Sequence, residues 1–133
     1  MPLETTQFSK VREKGCVFFH AWASWCQPCL KELPSLVEWL NQEKKVTPVV
    51  VDLSTPFVQD SFSKSFMRSL KPKFPAYLRP LAAEELNYVK TWNEKWKGEL
   101  PFSELYINGT RRKTWAAQME VGRLRREIAA LCK

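Results

Sequence analysis

Long apolar runs are missing from this 133-residue chain. Purely apolar stretches, such as Val17-Phe18-Phe19 and Val49-Val50-Val51, fall far short of the roughly 20 residues that cross a bilayer. The opening MPLETTQFSKVREKG holds no apolar signal core, which fits either a cytosolic chain or a mature exported domain. Histidine is nearly absent, with His20 alone. A structural zinc site normally needs four Cys/His ligands. Here Cys16 and Cys132 would have to converge on Cys26 and Cys29 from separate elements, so no metal is expected. Repeats and low-complexity segments are also missing. Neither zinc-finger spacing nor an aromatic-basic RNA-binding motif occurs, so no nucleic acid is expected as a partner.

What is present describes a single packed domain over residues 1–133. Hydrophobic residues make up 44% of the chain, with eight Phe and six Trp, enough for a core without a disulfide framework. Net charge is +7, and the segment from Thr110 carries seven Lys/Arg against Glu120 and Glu127. Such a face could meet an acidic partner, anionic lipid or nucleic acid, but it reads first as a solvated helix and hairpin.

Residues 16–22, CVFFHAW, read as a buried strand. After ASWCQPC, the recurrence of Leu30, Leu33, Leu36, Val37 and Leu40 predicts a helix. Pro34 lies inside it and should kink it, because it lacks the N–H donor. VTPVVVDL (46–53) is a second strand, which makes a right-handed βαβ unit with parallel strands. Residues 54–100 exceed a plain crossover. Phe62, Phe66 and Leu70 suggest one helix, FPAYLRP an extended piece, and Val89, Trp92 and Trp96 a helix ending at Gly98. Asn108-Gly109 between two runs is a strong hairpin signal. Val121, Leu124, Ile128 and Leu131 form the stripe of a final helix.

Cys26 and Cys29 stand at the predicted helix start. They could be a redox pair, half of a metal site or a structural staple. Unpaired N–H groups and the positive end of the helix dipole stabilise a thiolate at Cys26; thiols so placed ionise at about 3.5 to 7.5. The thiolate is the attacking species in disulfide exchange. Cys29, one turn further in, can resolve the mixed disulfide, and Pro28 stiffens the link without removing a needed donor. A Cys-x-x-Cys between a buried strand and a helix favours the redox reading.

The segment FFHAWASWCQPCLKELPSL resembles the thioredoxin superfamily, most closely its TlpA/ResA-like thiol–disulfide oxidoreductases. The shared pattern is Trp25-Cys26-x-Pro28-Cys29-x-x-Glu32-x-Pro34-x-Leu36. The resemblance implies an α/β thioredoxin-like fold: a central mixed sheet with helices on both faces and a helical insert after the βαβ unit. The strand that usually opens the domain is not evident, so LETTQFSKVREKG is read as a shortened lead-in. The resemblance makes Cys26 the nucleophile, Cys29 the buried resolving thiol and Pro101 the cis-proline facing the disulfide. Substrate chain would then pair with the Leu100 backbone as an added strand. Leu100 and Phe102 depart from the family's usual residues there.

Glu32 matches an acid beside the dithiol in the ResA-like branch and could accept the Cys29 proton; otherwise it is a solvent-facing helix glutamate near Lys31 or Lys10. His20 stands where relatives carry Asp or Asn. It could relay a proton to Cys29, or be a satisfied core histidine. Trp22 and Trp25 would shape an apolar rim around the disulfide, or either is ordinary packing. Glu104 is costly in a covered strand unless paired: it sits near an edge, binds a basic side chain or tunes the site. Cys16 and Cys132 should share the sheet end away from the dithiol, and whether they pair is open.

The expected function is disulfide exchange without a cofactor, reducing protein disulfides in an exported or periplasmic compartment. The family adds a membrane electron donor, a tether in the full-length protein and cytochrome c maturation; a monomer is expected. The alternative is a Cu(I)-handling or protein-binding module on the same fold.

Overall fold

A computed structural model describes residues 3, 5–80 and 85–133. The elements run α1 (Thr5–Val11), β1 (Cys16–Trp22), α2 (Gln27–Gln42), β2 (Val46–Asp52), α3 (Pro56–Val58), α4 (Lys64–Ser69), β3 (Ala76–Leu78), α5 (Glu85–Lys90), β4 (Phe102–Ile107), β5 (Thr110–Trp115) and α6 (Val121–Leu131). One π-helical turn, Gln59–Ser63, joins α3 to α4. The sheet order is β3-β2-β1-β4-β5. Strands β1, β2 and β3 are mutually parallel, β4 runs antiparallel to β1, and β5 runs antiparallel to β4. This is the mixed α/β thioredoxin-like sheet.

Alternation along the strands divides the core in two. Phe18 and Trp22 of β1, Val50 of β2 and Leu105 of β4 face α2, α4 and α6, packing with Leu33, Leu36, Met67, Leu124 and Ile128. Val17, Phe19 and Ala21 point the other way with Val49, Val51, Phe102 and Tyr106, against Phe8 of α1 and Tyr88 and Val89 of α5. His20 shares the parity of Phe18 and Trp22, which places it beneath α2.

The βαβ unit and the hairpin fall where the sequence places them. Asn108 and Gly109 both take positive φ, 50° and 86°, as a tight two-residue hairpin turn requires. Pro34 stays on the exposed side of α2, and the helix runs through it unbroken.

Three readings change. The lead-in contains a helix, α1, whose Phe8 packs edge-on against Trp92 and Tyr106 and tilted against Phe19; Met1, Pro2 and Glu4 lie outside the described residues. The helix suggested by Phe62, Phe66 and Leu70 is present as α4, Lys64–Ser69, but Phe62 lies in the π turn that precedes it and Leu70 just past its end. The helix containing Val89 ends at Lys90, before Trp92 and Trp96. After Lys90 the backbone tightens to three-residue turns, with Trp92 N–H on Val89 C=O and Trp96 N–H on Asn93 C=O. Their rings stack on each other at 5.8 Å, and Trp96 stacks on Phe102 at 4.0 Å. Ring packing, and not helical periodicity, produced the spacing seen in the sequence.

Candidate active site

Strand β1 ends at Trp22, and four residues later Cys26 is the N-cap of α2. Its backbone is extended, and its Sγ accepts the Cys29 N–H at 3.3 Å. A capping side chain satisfies one of the open donors of the first turn; here sulfur takes the role usual for serine. Pro28 lies in that first turn, where its missing N–H costs nothing. Cys26 and Cys29 are disulfide-bonded, with Cα atoms 5.3 Å apart. Cys26 is 5% exposed and Cys29 0%, so an incoming group reaches Cys26 first. Trp25 stands beside it, largely exposed, while Trp22 is buried beneath with both cysteines.

Ala21 pairs with Phe102 across β1 and β4. Leu100 and Pro101 therefore lie just past the end of β1, at the dithiol end of the sheet. Their peptide bond is cis. Pro101 is buried and Leu100 half-buried.

Glu32 faces inward. It is buried one turn below Cys29, its Oε2 accepts the Met119 N–H at 3.2 Å, and its Oε1 lies 3.8 Å from His20 Nε2. Burial raises its pKa from 4.5 to about 7, with the Met119 N–H pulling the other way. His20 is wholly buried, and burial lowers its pKa to about 3, so the ring is neutral at physiological pH. Its Nδ1 is 2.7 Å from Ser103 Oγ, the residue opposite it in the sheet. Its Nε2 has no hydrogen-bond partner among the described residues. Ser103, His20 and Glu32 thus form a polar file through the apolar layer under the dithiol. The sequence carried no mark of Ser103; only the β1–β4 register selects it.

Glu104 points to the opposite face, with Phe102 and Tyr106. It accepts from Tyr106 Oη at 2.9 Å, Asn93 Nδ2 at 3.3 Å and Arg111 Nη1 at 3.3 Å. Burial raises its pKa while these partners pull it back. Of the three readings of this residue, binding a basic side chain is the one observed. At the far end of the sheet Cys16 and Cys132 are disulfide-bonded, with Cα atoms 6.1 Å apart. The pair ties the start of β1 to the end of α6.

An extended-backbone cysteine capping the helix after β1, bonded to a buried partner one turn on, defines a thioredoxin-fold dithiol–disulfide oxidoreductase. No family model matches the chain, and no curated protein matches it. Solved structures do. A thioredoxin-related protein from Neisseria meningitidis serogroup B is 26% identical, with a TM-score of 0.70 over 88% of this chain and 84% of that one. StoA from Bacillus subtilis is also 26% identical, with a TM-score of 0.64 over 87% of this chain and 84% of that one. A secreted Mycobacterium tuberculosis disulfide oxidoreductase homologous to E. coli DsbE shares the fold at 19% identity, with a TM-score of 0.67 over 90% and 85% of the two chains. The chain is a thiol–disulfide oxidoreductase with a thioredoxin-like fold, similar to the TlpA/ResA-like proteins.

Proposed function

We propose that the chain acts as one domain that reduces protein disulfides in an exported compartment. The observation that carries this reading is the asymmetry of the pair: Cys26 caps α2 and keeps a small exposure of 5%, and Cys29 is wholly buried behind it. In the reduced protein the Cys26 thiolate attacks one sulfur of the substrate disulfide and expels the other as a thiolate. The Cys29 thiol gives up its proton, and its sulfur attacks Cys26 Sγ. The second substrate sulfur leaves as a thiolate, and two electrons have passed from the dithiol to the substrate.

Glu32 supports the proton step. A carboxyl titrating near pH 7 one turn from Cys29 is matched to a thiol that must lose its proton there. His20 and Ser103 position that carboxyl by holding the neutral imidazole against it. Pro28 sets the geometry of the pair. Trp25 rims the reactive sulfur, and the cis Leu100–Pro101 segment offers backbone to an extended substrate. The secreted relative supports export, and among the described residues no helix is long and apolar enough to cross a membrane. A membrane donor returning electrons, action on apocytochrome or similar targets, and a monomeric state complete the reading.

Equilibrium of the Cys26–Cys29 couple with glutathione tests the direction. A potential near about −270 mV marks a reductant, and one near about −120 mV would overturn the reading. Cys29→Ala, which stops resolution, should accumulate mixed disulfides at Cys26 with target proteins.

A further inference from the structure

Among the described residues, three large apolar side chains are exposed: Trp25 at 62%, Phe57 at 80% and Phe62 at 42%. Single exposed apolar residues are ordinary, but a group of them in one place marks a contact surface. These three belong to the reactive end. Strands β1 and β2 run parallel with Trp22 opposite Asp52, so the segments following both leave the sheet on the same side. Two hydrogen bonds tie the segments together: Ser24 N–H donates to Ser54 Oγ at 2.9 Å, and Ser54 Oγ lies 3.2 Å from Ser24 Oγ. Trp25 follows Ser24 directly, and Phe57 stands three residues after Ser54. Phe62 stacks on Phe66 at 5.6 Å, and Phe66 packs on Trp22 at 6.0 Å. An aromatic run thus leads from the core beneath the disulfide to the surface of the insert.

Beside this run is a cavity of about 460 Å3 between α4 and the β2–β3 edge. Trp22, Met67, Phe74 and Leu78 give it apolar walls, the exposed Arg68 and Lys71 line it with positive charge, and the buried Asp52 carboxyl, whose pKa burial raises, also lies in its lining. Lys64 is held by Asp60 at 2.7 Å, whereas Arg68 and Lys71 form no ion pair among the described residues. Exchange itself uses none of Phe57, Phe62, Arg68 or the cavity.

We propose that residues 56–74, together with Trp25, are a docking surface for the target polypeptide, selecting an apolar segment with an acidic flank beside its reactive cysteine. This deepens the reductase reading and rests on it. The occupant follows from position and charge. A target whose cysteine meets Cys26 must run its neighbouring residues over adjacent surface, and three or four extended residues span roughly 10 to 14 Å. The aromatic run and the cavity take the apolar side chains, and Arg68 and Lys71 complement acidic ones. A bilayer or a second copy seated here would cover Cys26 instead of presenting a disulfide to it.

The test uses the full chain, reduced, with three substrates. One is a peptide with Phe, Leu and Glu around a single cysteine held as a mixed disulfide with glutathione. The second replaces Phe and Leu with Ser and Glu with Lys, and the third is glutathione disulfide. Each turnover oxidises Cys26 and Cys29 to the disulfide and releases two thiols from the substrate. Wild type should react with the apolar acidic peptide at least about tenfold faster than with the polar basic one, the effect of one well-buried anchor. Phe57→Ser with Phe62→Ser should remove about that tenfold while leaving glutathione disulfide unaffected. Phe57→Ser alone serves if the double variant folds poorly. Arg68→Glu should narrow the preference severalfold, with the gap reopening as salt screens the charge. Equal wild-type rates on the two peptides overturn the proposal. So does an equal loss on glutathione disulfide, and so does binding to phosphatidylglycerol vesicles or dimerisation that disappears with Phe57 and Phe62. A wild type inert toward all three substrates would instead sink the reductase reading beneath it.

Discussion

Replacing Glu32 with Gln should stabilise the oxidised protein relative to wild type as the pH rises. The carboxyl is buried against His20 and the Met119 N–H, and burial raises its pKa from 4.5 to about 7. A folded-state pKa above the unfolded one means that the folded protein holds this proton more tightly. The stability it contributes is therefore complete below the unfolded value of 4.5 and is lost as pH rises through about 7. A shift of about 2.5 units at about 1.36 kcal/mol each makes the loss about 3 kcal/mol. Gln has nearly the same shape, can still accept from Met119, and does not ionise. His20 slopes the other way. Its folded pKa is lowered from 6.5 to about 3, so its contribution is present above 6.5 and is lost as pH falls toward 3. Asp52 and Glu104, both raised by burial, add slopes of their own. The slopes of Asp52 and Glu104, which do not touch Glu32, cancel when wild type is subtracted from the variant, and above 6.5 His20 is neutral folded and unfolded and adds no slope. Urea unfolding followed by tryptophan fluorescence, at intervals from about pH 4 to about pH 8.5, measures that difference. It should be flat in acid, climb by about 1.4 kcal/mol per unit, and level off about 3 kcal/mol higher above neutrality. Parallel curves for the two proteins would refute the reasoning, because they would mean that Glu32 ionises as freely folded as unfolded.

The Cys16–Cys132 bridge closes a loop with a sequence separation of 116. In the chain-entropy account, converting both cysteines to serine should cost about 5 kcal/mol and lower Tm by roughly 15 °C. Exchange by Cys26 should be unchanged, and calorimetry showing a drop under about 5 °C would count against the staple. Glu104→Ala should cost about 3 kcal/mol, because Tyr106, Asn93 and Arg111 lose their shared acceptor inside the core. The disulfide exchange rate of this variant should match wild type, since Glu104 faces away from the dithiol; a slowed rate in stopped flow would assign it a part in the chemistry.

Much of the architecture was legible in the residues. The apolar run at 16–22, the helical stripe from Leu30 to Leu40 and Asn108-Gly109 are local signals, and local geometry obeyed them. Trp92 and Trp96 misled because aromatic rings stacking on each other and on Phe102 imitate a helical interval. The α1 helix was missed because its short apolar pattern gains meaning only when Phe8 finds Phe19 and Tyr106 across the core.

The site divides along the same line. Cys26, Pro28 and Cys29 were readable because a helix N-terminus acts on residues within one turn of it. Glu32 was visible as a candidate, but its direction was not: a helix face is buried or solvated according to what packs against it. His20 and Glu104 are both single polar residues in apolar strands and look alike in the sequence. Strand parity sends them to opposite faces, His20 to Glu32 and Ser103 beneath the disulfide, Glu104 to Arg111 and Tyr106 behind it. The sequence by itself determined the reacting pair and the helix that activates it, because those depend on neighbours in the chain. The tertiary structure alone decided which buried groups attend that pair and that Cys16 meets Cys132, because such contacts depend on strand register and helix packing across the whole fold.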